Sequence, residues 1–256
     1  MRIVGAVALA VLLTGAAGAS TGLARAAGTT VTAIDLGTLG GSFSEAAAMN
    51  ASGQVVGEST TGAGVFHAFS WTQAGGMVDL GTLGGTGSVA GAVSPSGQVV
   101  GNARTAGDLE SHAFSWTPQG GMVDLGTLGG EESDAVDVTP SGQVIGSSFT
   151  VPGNPLLVPR HAFSWTPKGG MVDLGTLGGT GSSAVDVNAS GQVVGNSAVS
   201  GNAASHAFSW TRSGGMVDLG TTGGSDSLAN AVNARGDVAG SSFTSNGEFH
   251  AALWHT

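Results

Sequence analysis

The sequence predicts an all-β protein folded as a five-bladed β-propeller, and three observations carry that prediction. A unit running HAFSWTPQGGMVDLGTLGG from His112 to Gly130 recurs with small changes from His67, His161 and His206. Two further short apolar segments lie between copies, so each unit of about 45 residues holds four strand-like runs, the signature of a propeller blade. The chain opens on the second half of the unit, IDLGTLGG from Ile34 to Gly41, and closes on the first half, HAALWHT from His250 to Thr256. Complementary halves are what ring closure requires, whereas a linear solenoid needs atypical capping repeats. The expectation is four strands per blade over residues 31–256, with the fifth blade formed by residues 31–41 together with 227–256. A strand from Val31 to Leu39 then lies beside His250 to Trp254 and closes the ring.

Ahead of the repeats, residues 1–26 have the form of a signal peptide. Arg2 is the positive start, Ile3 to Leu13 an apolar run, and small residues offer cleavage near 19 or 26. The run is shorter than the ~18 apolar residues of a membrane span, so a secreted protein without a transmembrane segment is expected. With 41% hydrophobic residues and 47 Gly at repeating offsets, the chain is expected to fold rather than stay disordered. It has no Cys, so its stability must come from packing between repeats. Loss of Arg2 and Arg25 with the leader leaves five basic residues against seventeen acidic ones. That balance repels phosphate backbones and excludes nucleic acid as a partner. A monomer is expected.

Within each unit the first strand begins Ser-x-Ala, as in Ser44 to Met49, and recurs at Ser88, Ser133, Ser182 and Ser227. A turn follows, Asn50-Ala51-Ser52-Gly53 in the first copy, whose closing Gly suits a left-handed residue in a hairpin loop. Gln54 to Gly57 is a short β-branched run and hence a second strand. After a variable link, HAFSW makes the third strand, a Gly-rich loop turns the chain, and MVDLGTL makes the fourth. The expected register sets Thr72 opposite Met77, Ser70 opposite Asp79 and His67 opposite Thr82.

HAFSW, DLGTLGG and SGQVVG in this spacing resemble the HAF-repeat family of probable extracellular proteins, over nearly all of Ile34 to Thr256. The resemblance implies a secreted β-repeat protein and brings no catalytic residues with it. The fifth copy departs most, with Asp237-Val238-Ala239-Gly240 and HAALW.

Residues repeated in every copy are expected to build the scaffold. These are His67, His112, His161, His206 and His250; Asp35, Asp79, Asp124, Asp173 and Asp218; and Trp71, Trp116, Trp165, Trp210 and Trp254. A ring of His as metal ligands is the functional alternative for the first set. The Trp rings are expected to pack between blades, with sugar stacking as their alternative.

Function is sought where copies differ. Nine acids fall in or beside the connections of one side: Glu45, Glu58, Asp108, Glu110, Glu131, Glu132, Asp134, Asp226 and Glu248. Arg104 and Arg160 accompany them, whereas the opposite hairpins carry Lys168, Arg212 and Arg235. An insertion from Ser147 to Arg160 brings Leu156 and Leu157 to the acidic side. Glu131, Glu132, Asp134, Leu156, Leu157 and Arg160 are therefore the candidate ligand-binding residues. The three acids among them are also candidate Ca²⁺ ligands, since they offer hard oxygen donors; no other cofactor is expected.

Asp137 and Asp186 replace Ala48, Ala92 and Ala231 of the other copies, and paired carboxylates are the machinery of glycoside hydrolysis. The expected function is a secreted, non-enzymatic scaffold binding an extracellular glycan, wall polymer or protein through its acidic face. A glycan hydrolase using Asp137 and Asp186 is one alternative, and a structural matrix protein another.

Overall fold

The computed structural model describes residues 32–153 and 158–255. The expected signal peptide, and Leu156 and Leu157 of the insertion, lie outside the described residues. Residues 36–256 form one compact unit and residues 1–35 another. Of the second, only residues 32–35 are described, and all four are exposed and outside any strand.

Five antiparallel sheets follow one another along the chain, each a meander in sequence order. The first contains β1 (Gly40–Met49), β2 (Val55–Thr61), β3 (Phe66–Thr72) and β4 (Gly76–Asp79). The second contains β5 (Gly84–Val93), β6 (Val99–Thr105), β7 (Ser111–Thr117) and β8 (Gly121–Asp124). The third contains β9 (Ser133–Val138), β10 (Val144–Phe149), β11 (Arg160–Thr166) and β12 (Gly170–Asp173). The fourth contains β13 (Gly178–Val187), β14 (Val193–Val199), β15 (Ser205–Thr211) and β16 (Gly215–Asp218). The fifth has three strands, β17 (Gly223–Val232), β18 (Val238–Thr244) and β19 (Phe249–Trp254).

Local chemistry fixes these elements. The first hairpin turns on Gly53, whose φ of 80° an L side chain resists and whose N–H donates to Asn50 O at 3.0 Å. A bulge between Ala46 and Ala48 brings the Glu45 carbonyl over Gly57. Any Cβ on Gly57 would fall inside that oxygen, and the equivalent Gly of every later sheet meets the same obstacle. In the third and fourth sheets a Phe ring of the HAF strand, Phe163 or Phe208, fills the space over that Gly.

The core lies between sheets rather than within them. One face of sheet one supplies Val56, Ala68 and Leu80, which pack against Ala90, Val99 and Phe114 of sheet two. The same positions recur at the next three interfaces, as with Ile145, Ala162 and Leu174 against Ala184, Val193 and Phe208. Trp116, Trp165, Trp210 and Trp254 each pack, partly buried, against the interface with the preceding sheet. Hydroxyls link the sheets as well. Ser182 Oγ accepts from Ala162 N of sheet three at 2.9 Å and donates to Gly175 O at 2.6 Å. Ser88, Ser133 and Ser227 do the same at their interfaces.

One expectation is not shown among the described residues, and a second needs correction. Residues 32–38 are not in a strand, and Leu39 makes only an isolated bridge to Thr61. Among the described residues, therefore, no fourth strand completes sheet five. The matching faces of sheets one and five, with Ala46, Met49, Ala239 and Ala251, are exposed. In sheets one to four a tight loop fixes the fourth strand on the third, as when Gly75 N donates to Thr72 Oγ1 at 3.0 Å. An N-terminal segment has no such loop and must meet the sheet across the length of the chain, at a larger closure entropy.

The register expected for that hairpin is also off by one residue. Thr72 pairs with Gly76, Trp71 with Met77, Ser70 with Val78 and Phe69 with Asp79. The fourth strand ends at Asp79, because the Asp79 carboxylate accepts from Gly81 N at 2.8 Å and turns the chain there.

Candidate functional site

The repeated His and Asp are partners of one another. His67 Nδ1 lies 2.9 Å from the Asp79 carboxylate, and His112–Asp124, His161–Asp173 and His206–Asp218 repeat the pair at 2.8–2.9 Å. Each Asp also holds the Gly N–H two residues on. These side chains thus tie the third strand to the end of the fourth. Their constant separation of twelve residues was the signal in the sequence. His250 instead lies near Glu248, 3.5 Å away. Among the described residues no group of three or more His, Cys, Asp or Glu is placed to hold a metal ion.

The candidate residues on the acidic side are only partly brought together. Asp134 accepts from Asn102 Nδ2 of sheet two at 2.6 Å and forms an ion pair with Arg160. The Arg160 guanidinium also sits 5.3 Å from the centre of the Phe149 ring. Asp134 and Arg160 therefore hold neighbouring strands and sheets together. Glu131 and Glu132 border a hollow of about 20 Å³ with Phe149, Val151 and Gly153, room for at most a water molecule.

Other acids of this side do backbone work. The Asp108 carboxylate accepts from Thr86 N at 2.7 Å and that of Asp226 from Ser205 N at 2.8 Å. Hydrogen bonds from Ser225 and from the Ser205 amide hold the Asp226 carboxyl below the usual carboxylate range. Glu58 faces Glu45 across the first sheet, and its carboxyl is raised by burial and by that neighbour's charge.

Asp137 and Asp186 do come together, on the first strands of sheets three and four. Asp137 accepts from Val138 N at 2.7 Å; Asp186 accepts from Val187 N at 2.9 Å and from Val232 N of sheet five at 2.7 Å. Burial pushes the Asp137 carboxyl up, and the charge and hydrogen bonding of Asp186 push it further. The pair is thus half-buried and bound to main-chain amides of successive sheets.

The larger hollows lie on the opposite side, between sheets, where the hairpins cluster. One of about 470 Å³ separates sheets one and two and is lined by Gln54, Ser70, Thr72, Ser96, Gly97 and Trp116. Another of about 610 Å³ separates sheets three and four, where Gln143, Ser164, Thr166, Ser190, Gly191 and Trp210 occupy the equivalent positions. The groove floor is preorganised. Gln54 Nε2 donates to Ser70 Oγ at 2.9 Å, and Gln143 Nε2 to Ser164 Oγ at 2.9 Å. Trp116 and Trp210 each pack partly against the core and also line the groove. Sequence reasoning gave the Trp rings to packing between blades, with sugar stacking as their alternative, and singled out neither the Gln nor the Ser beside them. The recurring Trp-Thr at the end of the third strand, beside hydroxyls of the next turn, was the available signal.

The sequence matches no protein-family model and no curated protein. Among solved structures the chain is similar to a gluconolactonase from Xanthomonas campestris, at 15% identity over 79% of this chain and 72% of that one, with a TM-score of 0.41. It is also similar to TolB from Acinetobacter baumannii, at 13% identity over 78% of this chain and 51% of that one, with a TM-score of 0.46.

Proposed function

We propose that this chain is a secreted, non-enzymatic propeller scaffold of the HAF-repeat kind that binds an extracellular polyhydroxylated polymer through grooves between its sheets. The observation that carries this reading is the recurrence of one groove, with the same Gln, Ser, Thr and Trp positions, between sheets one and two and between sheets three and four. Trp offers an apolar ring with a polar edge, which suits a sugar ring flanked by hydroxyls. Main-chain amides occupying Asp137 and Asp186 favour binding over hydrolysis.

Closure of the ring belongs to the same proposal. Sheet five then meets sheet one through Ala239 and Ala251 against Ala46 and Met49, whose counterparts are buried or partly buried at the four formed interfaces.

A second reading keeps the acidic side as the ligand surface, on the strength of Glu131 and Glu132 bordering one hollow with buried Phe149 and exposed Val151. Binding to insoluble polysaccharides separates the two readings. Trp116→Ala, with its fold checked by circular dichroism, is expected to lose affinity while Glu131→Gln with Glu132→Gln retains it. The reverse pattern, with salt dependence flattened in the double variant, would assign binding to the acidic side. Release of reducing sugar that disappears in Asp137→Asn or Asp186→Asn would overturn the non-enzymatic reading.

A further inference from the structure

We propose that the groove between sheets three and four is a site for a carboxylate-bearing sugar, with Trp210 as its stacking wall and Arg212 as its anion clamp. The proposal rests on the groove-binding reading above and gives this one groove a ligand class of its own. The two grooves share their floor and differ at the rim. Pro118 stands in the first where Arg212 stands in the other. Arg212 is exposed, and its guanidinium nitrogens reach over the hairpin of sheet three, 3.7 and 3.9 Å from where a Cβ on Gly169 would sit. Lys168 is the next residue in that hairpin and is exposed too. Among the described residues no carboxylate lines the groove. On a chain of formal net charge −10, an acid-free groove rimmed by one guanidinium and neighboured by an ammonium is where an anion meets least repulsion.

The floor differs as well. In sheets one and four the turn Asn donates from Nδ2 to the Oε1 of the following Gln, at 3.0 Å in Asn50–Gln54 and in Asn188–Gln192. Thr139 occupies that place in sheet three and has no amide, so its hydroxyl goes instead to Gln143 N and to Ser141. Gln143 Oε1 is thereby available as an acceptor beside Ser164 and Thr166. Hydroxyl donors of a sugar, an apolar ring face and one carboxylate match, in turn, the Gln and Ser floor, the Trp210 wall and the Arg212 fork. Guanidinium and carboxylate can pair through two parallel hydrogen bonds, which an ammonium does not reproduce. A volume of about 610 Å³ is also in the range of roughly 300–1,000 Å³ common to small-molecule sites.

Calorimetric titration of the full chain with a galacturonic acid trimer and with a neutral glucose trimer tests the proposal. The wild-type protein is expected to favour the acidic trimer. Arg212→Ala should weaken that ligand about tenfold or more, the scale of one lost hydrogen bond to a charged group, and leave the neutral trimer unchanged. Arg212→Lys should recover part of the loss. Trp210→Phe should weaken both ligands, whereas Trp116→Ala should leave the acidic trimer unaffected. Equal affinity for the two trimers, or unchanged acidic binding in Arg212→Ala, would overturn the carboxylate site while leaving groove binding standing. Loss of acidic binding in Trp116→Ala but not in Trp210→Phe would place the ligand in the other groove and also overturn it. Failure of both trimers and of the insoluble polysaccharides to bind would remove the two proposals together.

Discussion

Asp137 shows how one substitution changes the character of a repeat. Where three of the other copies have Ala, its carboxyl sits half-buried against Asp186 and the amides of Val138 and Val187. Burial, and then the Asp186 charge, raise its pKa in the folded protein, so the folded state holds this proton to higher pH than the unfolded chain does. Stability from this group is therefore full below the ordinary carboxylate range and falls as pH rises through that range to the raised value. Asp137→Asn removes the ionisation and keeps an oxygen for the Val138 amide. The variant is expected to melt above the wild type near pH 7 and to lose that advantage at about pH 3, below the usual Asp range. Melting curves at the two pH values check this, and an advantage that persists at the acid end would show that ionisation is not its source. The substitution itself was plain in the sequence. Its contacts with Val187 N and with Asp186 reach into the neighbouring sheet and were not.

At the scale of the strand, the Gly of each VVG run shows why the repeat is so invariant. Gly195 in β14 lies under the Ser183 carbonyl, which the bulge in β13 pushes toward it, and under the Phe208 ring from β15. A side chain there must displace main chain on one flank and a fully buried ring on the other. Gly195→Ala is expected to lower stability by about 1–3 kcal/mol or more, the usual effect of overpacking. Urea denaturation measures it, and a loss below a few tenths of a kcal/mol would mean the bulge relaxes freely. The off-by-one register expected for the third and fourth strands has a different source, because no bulge interrupts that pair. Alternation of residue types places a strand, but loop geometry sets which residues face each other, and the Gly75–Thr72 contact decides it here.

At the scale of the molecule the unanswered edge is between sheets five and one. Four interfaces are held by the same hydroxyl, and Ser182→Ala should cost about 1–3 kcal/mol by leaving the buried Ala162 amide without an acceptor. Ser44 is the equivalent residue of sheet one; its Oγ donates to Gly37 O at 2.8 Å, and it is exposed. In a closed ring Ser44 takes the Ala251 amide as Ser182 takes that of Ala162. Ser44→Ala should then destabilise the full chain as much as Ser182→Ala does. A negligible loss for Ser44→Ala beside a large one for Ser182→Ala, read in the same urea titration, would establish an open array.

The sequence by itself determined the number of sheets, the order of strands in the first four and the turns on Gly53 and its counterparts. All of these follow from short-range periodicity and backbone chemistry repeated several times over. It also marked His67 and Asp79 as scaffold, although not as partners. Only the tertiary structure decided that Ser182 and Asp186 act across sheets. It also showed that Asp134 is taken up by Arg160 and Asn102, and that the large hollows open on the side of the hairpins. A repeat fixes what each sheet contains. Which atoms face each other between sheets depends on bulge, twist and loop geometry summed over residues far apart in the chain, and no single copy carries that information.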